Sequence, residues 1–126
     1  MPDPSPATII LAMGWVRLIA VERCRPGGGT FVEHEGRELA VFLLDPPGTV
    51  AVIDNACPHA SGNLSGGEVA DGVVTCPWHQ WQFDLTTGQC VHSRMARVRR
   101  YPARIEDGYV WVQIAGAPER EDPGGA

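Results

Sequence analysis

At 126 residues the chain fits the roughly 50 to 250 residues of a single domain, which excludes a multidomain enzyme. Hydrophobic (44%) and charged (20%) fractions are those of an ordinary soluble globular protein, while 15 Gly and 11 Pro require many turns and favour short strands over helices. Fifteen acidic residues against ten basic give a formal charge of -5, the wrong sign for neutralising phosphates, so nucleic acid is not an expected partner.

Residues 1–12 read as an N-terminal tail whose apolar run Ile9 to Ala12 lacks the basic flank of a secretory signal, and no stretch is long enough to span a bilayer. The expected location is the cytoplasm, where four cysteines are metal ligands or plain thiols rather than a disulfide framework. Strands are expected at Trp15 to Val21, Thr30 to His34, Leu39 to Leu44 and Val50 to Asp54, the last two apolar enough for burial on both faces. A polar, Gly-rich loop follows from Asn55 to Gly67. Val69 and Val73 to Thr75 flank an Asp71-Gly72 hairpin, a second loop runs Cys76 to Trp81, and Gln82 to Leu85 enters the Thr86-Thr87-Gly88 turn. The closing hairpin pairs Ala103 to Glu106 with Tyr109 to Ile114 through Asp107-Gly108, which supplies the positive φ angles of a two-residue turn. Residues 13–115 thus form one all-β domain, an antiparallel sandwich or small barrel, followed by a disordered tail at 116–126.

Each long loop carries one thiol and one imidazole: Cys57-Pro58-His59 in the first, Cys76-Pro77-Trp78-His79 in the second. One or two residues between ligands let a turning backbone aim both side chains at a common point, and Pro58 and Pro77 stiffen those turns. Two loops of this kind can pinch one metal centre between them. Two sulfur and two nitrogen ligands suit zinc or an iron-sulfur cluster alike, so ligand type alone does not choose.

The arrangement Cys-x-His, then Cys-x-x-His, resembles the Rieske family in all four ligands. The run Cys76-Pro77-Trp78-His79-Gln80-Trp81-Gln82-Phe83-Asp84, the Thr87-Gly88 turn and the hairpin from Pro102 to Val112 extend the likeness to a small soluble Rieske ferredoxin over roughly residues 14 to 114. The resemblance implies two loops forming a cluster-binding subdomain with one [2Fe-2S] cluster per subunit, Cys57 and Cys76 holding one iron and His59 and His79 the other. Two ferric ions, two sulfides and two thiolates sum to neutrality, so histidine ligation eases reduction. Such centres lie at roughly -150 to +300 mV against about -400 mV for plant-type ferredoxins. The resemblance also makes His59 and His79 the electron gateway, their outer ring nitrogens available to a partner or a proton.

High-potential respiratory members of the family carry an added loop-to-loop disulfide, and a serine and a tyrosine that donate towards sulfur. Here the first loop reads His59-Ala60-Ser61-Gly62, Trp78 stands where the second added cysteine would be, and Trp81 and Phe83 occupy the hydroxyl positions. Missing donors leave charge on sulfur less stabilised, so a low potential is expected. Gln80 stands where the family commonly has glycine, and carries a cost if that position needs a positive φ.

Elsewhere the expectations are structural. Trp15 and Trp111 are read as core, and core is also the leading reading for Trp78 and Trp81. Cys24 and Cys90 are plain thiols unless geometry allows a bridge, and His34 and His92 are surface or turn residues. Arg94, Arg97, Arg99, Arg100 and Arg104 form a solvated strand face. No phosphate loop or nucleophile motif indicates a catalytic site of its own. The expected function is a monomeric electron-transfer ferredoxin serving a flavin-dependent reductase and a terminal oxygenase. The alternative is a redox-competent small subunit of an assimilatory nitrite reductase, bound to its large subunit, which the stretch Phe83 to Cys90 also resembles.

Overall fold

The computed structural model describes residues 14–45, 47–58, 62–78 and 80–114; the expected tails at 1–12 and 116–126 lie outside them. In chain order the strands are β1 (Trp15–Ala20), β2 (Gly29–His34), β3 (Arg37–Leu44), β4 (Thr49–Asp54), β5 (Glu68–Ala70), β6 (Val73–Thr75), β7 (Gln82–Asp84), β8 (Arg100–Tyr101), β9 (Ala103–Glu106) and β10 (Tyr109–Gln113). Short 3-10 turns, which the sequence pattern does not announce, occupy Val21–Arg23 and Leu64–Gly66.

The apolar runs of β3 and β4 pair antiparallel at the centre of a four-stranded sheet of order β2-β3-β4-β8. Because side chains alternate along a strand, the pair builds two cores at once. Leu39, Val41, Val50 and Val52 join Val110 and Val112 on one face, and Ala40, Phe42, Ala51 and Ile53 join Leu64, Val74, Phe83 and Leu85 on the other. The first core supports the three-stranded sheet β1-β10-β9 and the second supports β5-β6-β7. Burying each such Val, Leu, Ile or Phe is worth about 1.5 to 3 kcal/mol, so the sheet carrying the second loop is anchored by hydrophobic burial. The all-β antiparallel expectation and the two-sided burial of β3 and β4 both hold.

Three hairpins close through two residues with positive φ, Glu35-Gly36, Asp71-Gly72 and Asp107-Gly108, at φ values of 51 and 82, 52 and 77, and 54 and 79 degrees. That is the backbone a two-residue turn needs to match the twist of its strands. The fourth non-glycine residue in this region is Gln80, at φ 64 degrees in the second loop, so the position does have the geometry that favours glycine.

Three expectations are corrected. Trp15 and Trp111 are half-buried and absent from both cores. They belong to β1 and β10, where Val110 and Val112 are the buried set, and the Arg104 guanidinium lies 5.1 Å from the Trp15 ring centroid. The arginine run does not make one strand face: Arg94 and Arg97 precede β8, Arg100 lies on β8 itself, and Arg104 belongs to a different sheet. Arg100 Nε donates to the Leu85 carbonyl at 2.8 Å, whereas Arg104 pairs with Glu106 at 3.4 Å. Trp78 is 58% exposed and therefore not core, while Trp81 is partly buried and packs on the β7 side.

Strand β8, two residues long and invisible to a periodicity argument, fastens the edge of the central sheet. The buried Tyr101 hydroxyl donates to Asp54 Oδ1 at 2.5 Å and accepts from Arg37 Nη1 at 3.2 Å, and burial, reinforced by Asp54, pushes its phenol up. Beyond β7, the Thr86 hydroxyl and amide donate to Asp84 Oδ1 at 2.6 and 2.8 Å. These bonds, with Arg100 adding a smaller pull, hold the Asp84 carboxyl below its ordinary value against the opposing effect of burial.

Two outcomes are expected. A folded-state carboxyl held low contributes stability that is complete above the ordinary carboxylate value and lost as pH falls through the lowered one. Thr86→Val should therefore cost about 1 kcal/mol at neutral pH, and its melting curve should converge on that of the parent chain as the pH falls through the lowered Asp84 value. Gln80→Gly should raise stability by about 1 kcal/mol in denaturant titrations, since a left-handed conformation costs an L residue about that much.

Candidate metal centre

The first loop leaves β4 at Asn55, and the second leaves β6 at Cys76 and returns into β7. Both open on a Cys-Pro pair, and both close in the same way. The Cys57 amide donates to the Gly62 carbonyl at 2.9 Å and the Cys76 amide to the Trp81 carbonyl at 2.7 Å, in each case a carbonyl five residues ahead. Each thiol-bearing residue is thus the base of a turn fastened to itself. The apolar anchoring beneath leaves Cys57 and Cys76 1% and 0% exposed.

The loops meet at Gly62, where a Cβ would stand 2.8 Å from Cys76 Sγ and about 3 Å from the Trp78 side chain. No positive φ is involved; glycine is required because the second loop lies directly against it. The Cys57 and Cys76 thiols lie close enough to act on each other. Burial pushes the Cys76 thiol up, the Trp78 backbone amide pulls it down, and Cys57 alongside pushes it up again. Two adjacent buried sulfurs repel as thiolates unless a cation lies between them, so this pair fits joint coordination of a metal ion.

His59 and His79, the expected nitrogen ligands, lie outside the described residues, as do Ala60 and Ser61. Among the described residues no group of three or more His, Cys, Asp or Glu is placed to hold a metal ion. The described half of the expected set is the two cysteines, and these are brought together. A cavity of about 300 Å³ opens beside Cys76, bounded by Gly66, Gly67 and Glu68 on one side and by Thr75, Cys76, Pro77 and Gln80 on the other. Phe83, at one of the positions read as a missing hydroxyl donor, is fully buried in the core under the second loop.

The other candidates fall away from this centre. All four cysteines are free. Cys24 packs in the core next to β10 and Cys90 in the core next to β7, on opposite faces of the central sheet, so no bridge joins them. The Cys24 thiol donates to the Ala20 carbonyl at 3.7 Å, and burial pushes it up. His34 stands beside the Glu35 carboxylate at 3.9 Å next to a hairpin turn, and His92 is exposed.

Sequence reasoning passed over Asn55, which it counted as loop. Asn55 is buried to 1% exposure, and its amide group bonds to both Asn63 and the Ser65 backbone. The available signal was a polar residue directly continuing the apolar run of β4.

Comparison with known proteins agrees with this geometry. The ferredoxin component of the naphthalene 1,2-dioxygenase system of Pseudomonas putida is 28% identical over 106 residues, covering 83% of this chain and 100% of that protein. Cholesterol 7-desaturase nvd of Drosophila melanogaster is 29% identical over 120 residues, and there the chain spans only 26% of the relative's length. Among solved structures, a protein assigned as the small subunit of an NADH-dependent nitrite reductase from Mycobacterium tuberculosis superposes with a TM-score of 0.71 at 30% identity. It covers 78% of this chain and 92% of that one. The profile of the Rieske [2Fe-2S] domain matches residues 14–102, most of the chain and all of both loops. With the family's domain model matched over most of its length, the chain belongs to the Rieske [2Fe-2S] domain family.

Proposed function

We propose that the chain is a Rieske-type ferredoxin that carries single electrons from a flavin-dependent reductase to a terminal oxygenase, with Cys57, His59, Cys76 and His79 as the cluster ligands. The observation that carries this reading is the contact between the Cys57 and Cys76 thiols across two loops built alike. The match to the whole length of a dioxygenase ferredoxin component supports it, because that relative is itself a carrier serving an oxygenase system. Only a quarter of the longer desaturase relative is matched, so the likeness does not extend over that protein's remainder.

A [2Fe-2S] cluster, when bound, accepts and returns one electron. The residues of this chain supply its surroundings. Cys57 and Cys76 offer soft thiolate donors at buried positions that exclude water from the sulfur side. Trp78, 58% exposed and seated against Gly62, places a broad apolar surface at the junction of the loops, of the kind partner proteins bury. Phe83 brings no hydroxyl donor to the sulfur side, which favours a low potential. Residues 13–115 form the redox domain, and four free cysteines are in keeping with a reducing cytoplasm and a monomeric carrier.

The structural likeness to a nitrite reductase small subunit favours a second reading, a redox-competent subunit of such an enzyme. Stable copurification with a large sirohaem-containing subunit would establish it; weak, transient binding to a reductase would establish the ferredoxin.

Paramagnetic resonance of the dithionite-reduced protein, titrated against potential, tests the proposal directly. A rhombic signal of low average g is expected, with a midpoint near the bottom of the roughly -150 to +300 mV Rieske range. A silent, zinc-containing sample would overturn the ligand assignment, and a midpoint above about +100 mV would overturn the low-potential reading. Cys57→Ser and His79→Ala should each abolish the signal while leaving the β-rich circular dichroism spectrum in place.

A further inference from the structure

We infer that Asn55 is a positioning residue for Cys57: its buried carboxamide closes the first loop and so determines where the Cys57 sulfur is presented. This rests on the ligand role proposed above for Cys57 and assigns the task of holding it to a residue outside the motif.

Asn55 is the only buried polar or charged residue among the described residues, 1% exposed, and every polar group it has is engaged. Its amide donates to the Glu38 carbonyl at 3.0 Å, extending the β3–β4 ladder by one rung, and its carbonyl accepts from the Leu64 amide at 2.8 Å. The side chain works in both directions at once. Oδ1 accepts from the Ser65 amide at 3.0 Å, and Nδ2 donates to Asn63 Oδ1 at 2.9 Å. One residue therefore ties the outgoing limb of the loop to β3 behind it and to three successive residues of the returning limb.

The effect on Cys57 is geometric. With the returning limb held at 63, 64 and 65, Ala56 and Asn63 form a bridge, and the Cys57 amide then meets the Gly62 carbonyl. The turn that displays the thiol is built on this pair of contacts, and Gly62, its far end, is the residue that touches Cys76 Sγ. Without the Asn55 cross-link, the two limbs would be held together only by the remaining loop bonds and the buried Leu64, and each residue they fix costs roughly 1 to 2 kcal/mol of backbone entropy.

The chemistry of the side chain makes the idea testable. Leucine matches asparagine closely in shape but can neither accept from Ser65 nor donate to Asn63. Aspartate keeps the acceptor, and the exposed Asn63 carboxamide can turn to present its donor, so the geometry survives with an added negative charge. Asn63→Leu is milder again, removing one partner at an exposed position.

The experiment uses the cluster-loaded protein, with resonance g values, midpoint and loss of visible absorbance compared at temperatures equally far below each variant's Tm. Asn55→Leu is expected to lose its absorbance about tenfold faster and to shift the g values, as removal of two buried hydrogen bonds implies. Asn63→Leu should move both readouts the same way by less. Asn55→Asp should keep the parental g values while lowering the midpoint, because a new negative charge opposes uptake of an electron. Unchanged g values and unchanged cluster retention in both leucine variants, or in Asn63→Leu alone if Asn55→Leu does not fold, would show that Asn55 only stabilises the fold and overturn the inference. An absence of the Rieske signal in the parent protein would instead remove the ligand assignment.

Discussion

Two-sided burial of a single pair of strands underlies the whole arrangement. Leu39, Val41, Val50 and Val52 face one way and Ala40, Phe42, Ala51 and Ile53 the other, so β3 and β4 are shared by two cores that would otherwise need separate foundations. Both loops of the metal centre depend on this pair. The first continues directly from β4 through Asn55, and the second stands on a small sheet whose Val74 and Phe83 pack against the same strands. A strand of three residues such as β6 could not hold the buried Cys76 in place unaided; it does so because Val74 packs into the core shared with β3 and β4.

Above that foundation the two loops are made to one plan. Each carries Cys-Pro near its start, each returns the cysteine amide to a carbonyl five residues on, and each places its cysteine in the hydrophobic core. Self-closure has an electrostatic side as well. Because each cysteine amide is spent inside its own loop, any donor that stabilises charge on these sulfurs has to come from a neighbour, such as the Trp78 amide beside Cys76. The surroundings of these sulfurs are therefore set at the loop junction, where Gly62 and Trp78 are found.

Much of this could be read from the sequence, for reasons that differ from element to element. The hairpins at Asp71-Gly72 and Asp107-Gly108 were legible because their turns place two left-handed residues in succession, which few residue pairs other than X-Gly supply. The family was legible because metal chemistry restricts both residue type and spacing in the two Cys- and His-bearing loops. Strand β8 was not, since two residues carry no period, and neither was the role of Asn55, whose partners Glu38 and Ser65 lie 17 and 10 positions away on different elements. The tryptophans misled for a plain reason: a large apolar side chain is read as core, but strand β10 had already committed Val110 and Val112 to the interior, and alternation put Trp111 on the other face.

The contact of Gly62 with Cys76 and Trp78 has a consequence for how the protein is made. All four cysteines of the chain are free, Cys57 and Cys76 on the two loops and Cys24 and Cys90 in opposite cores, so no disulfide ties the loops together. A junction of that kind can part and re-form without any covalent bond being broken. No disulfide therefore has to form before the two loops can meet, and the contact of Gly62 with Cys76 and Trp78 needs no oxidising step to be made.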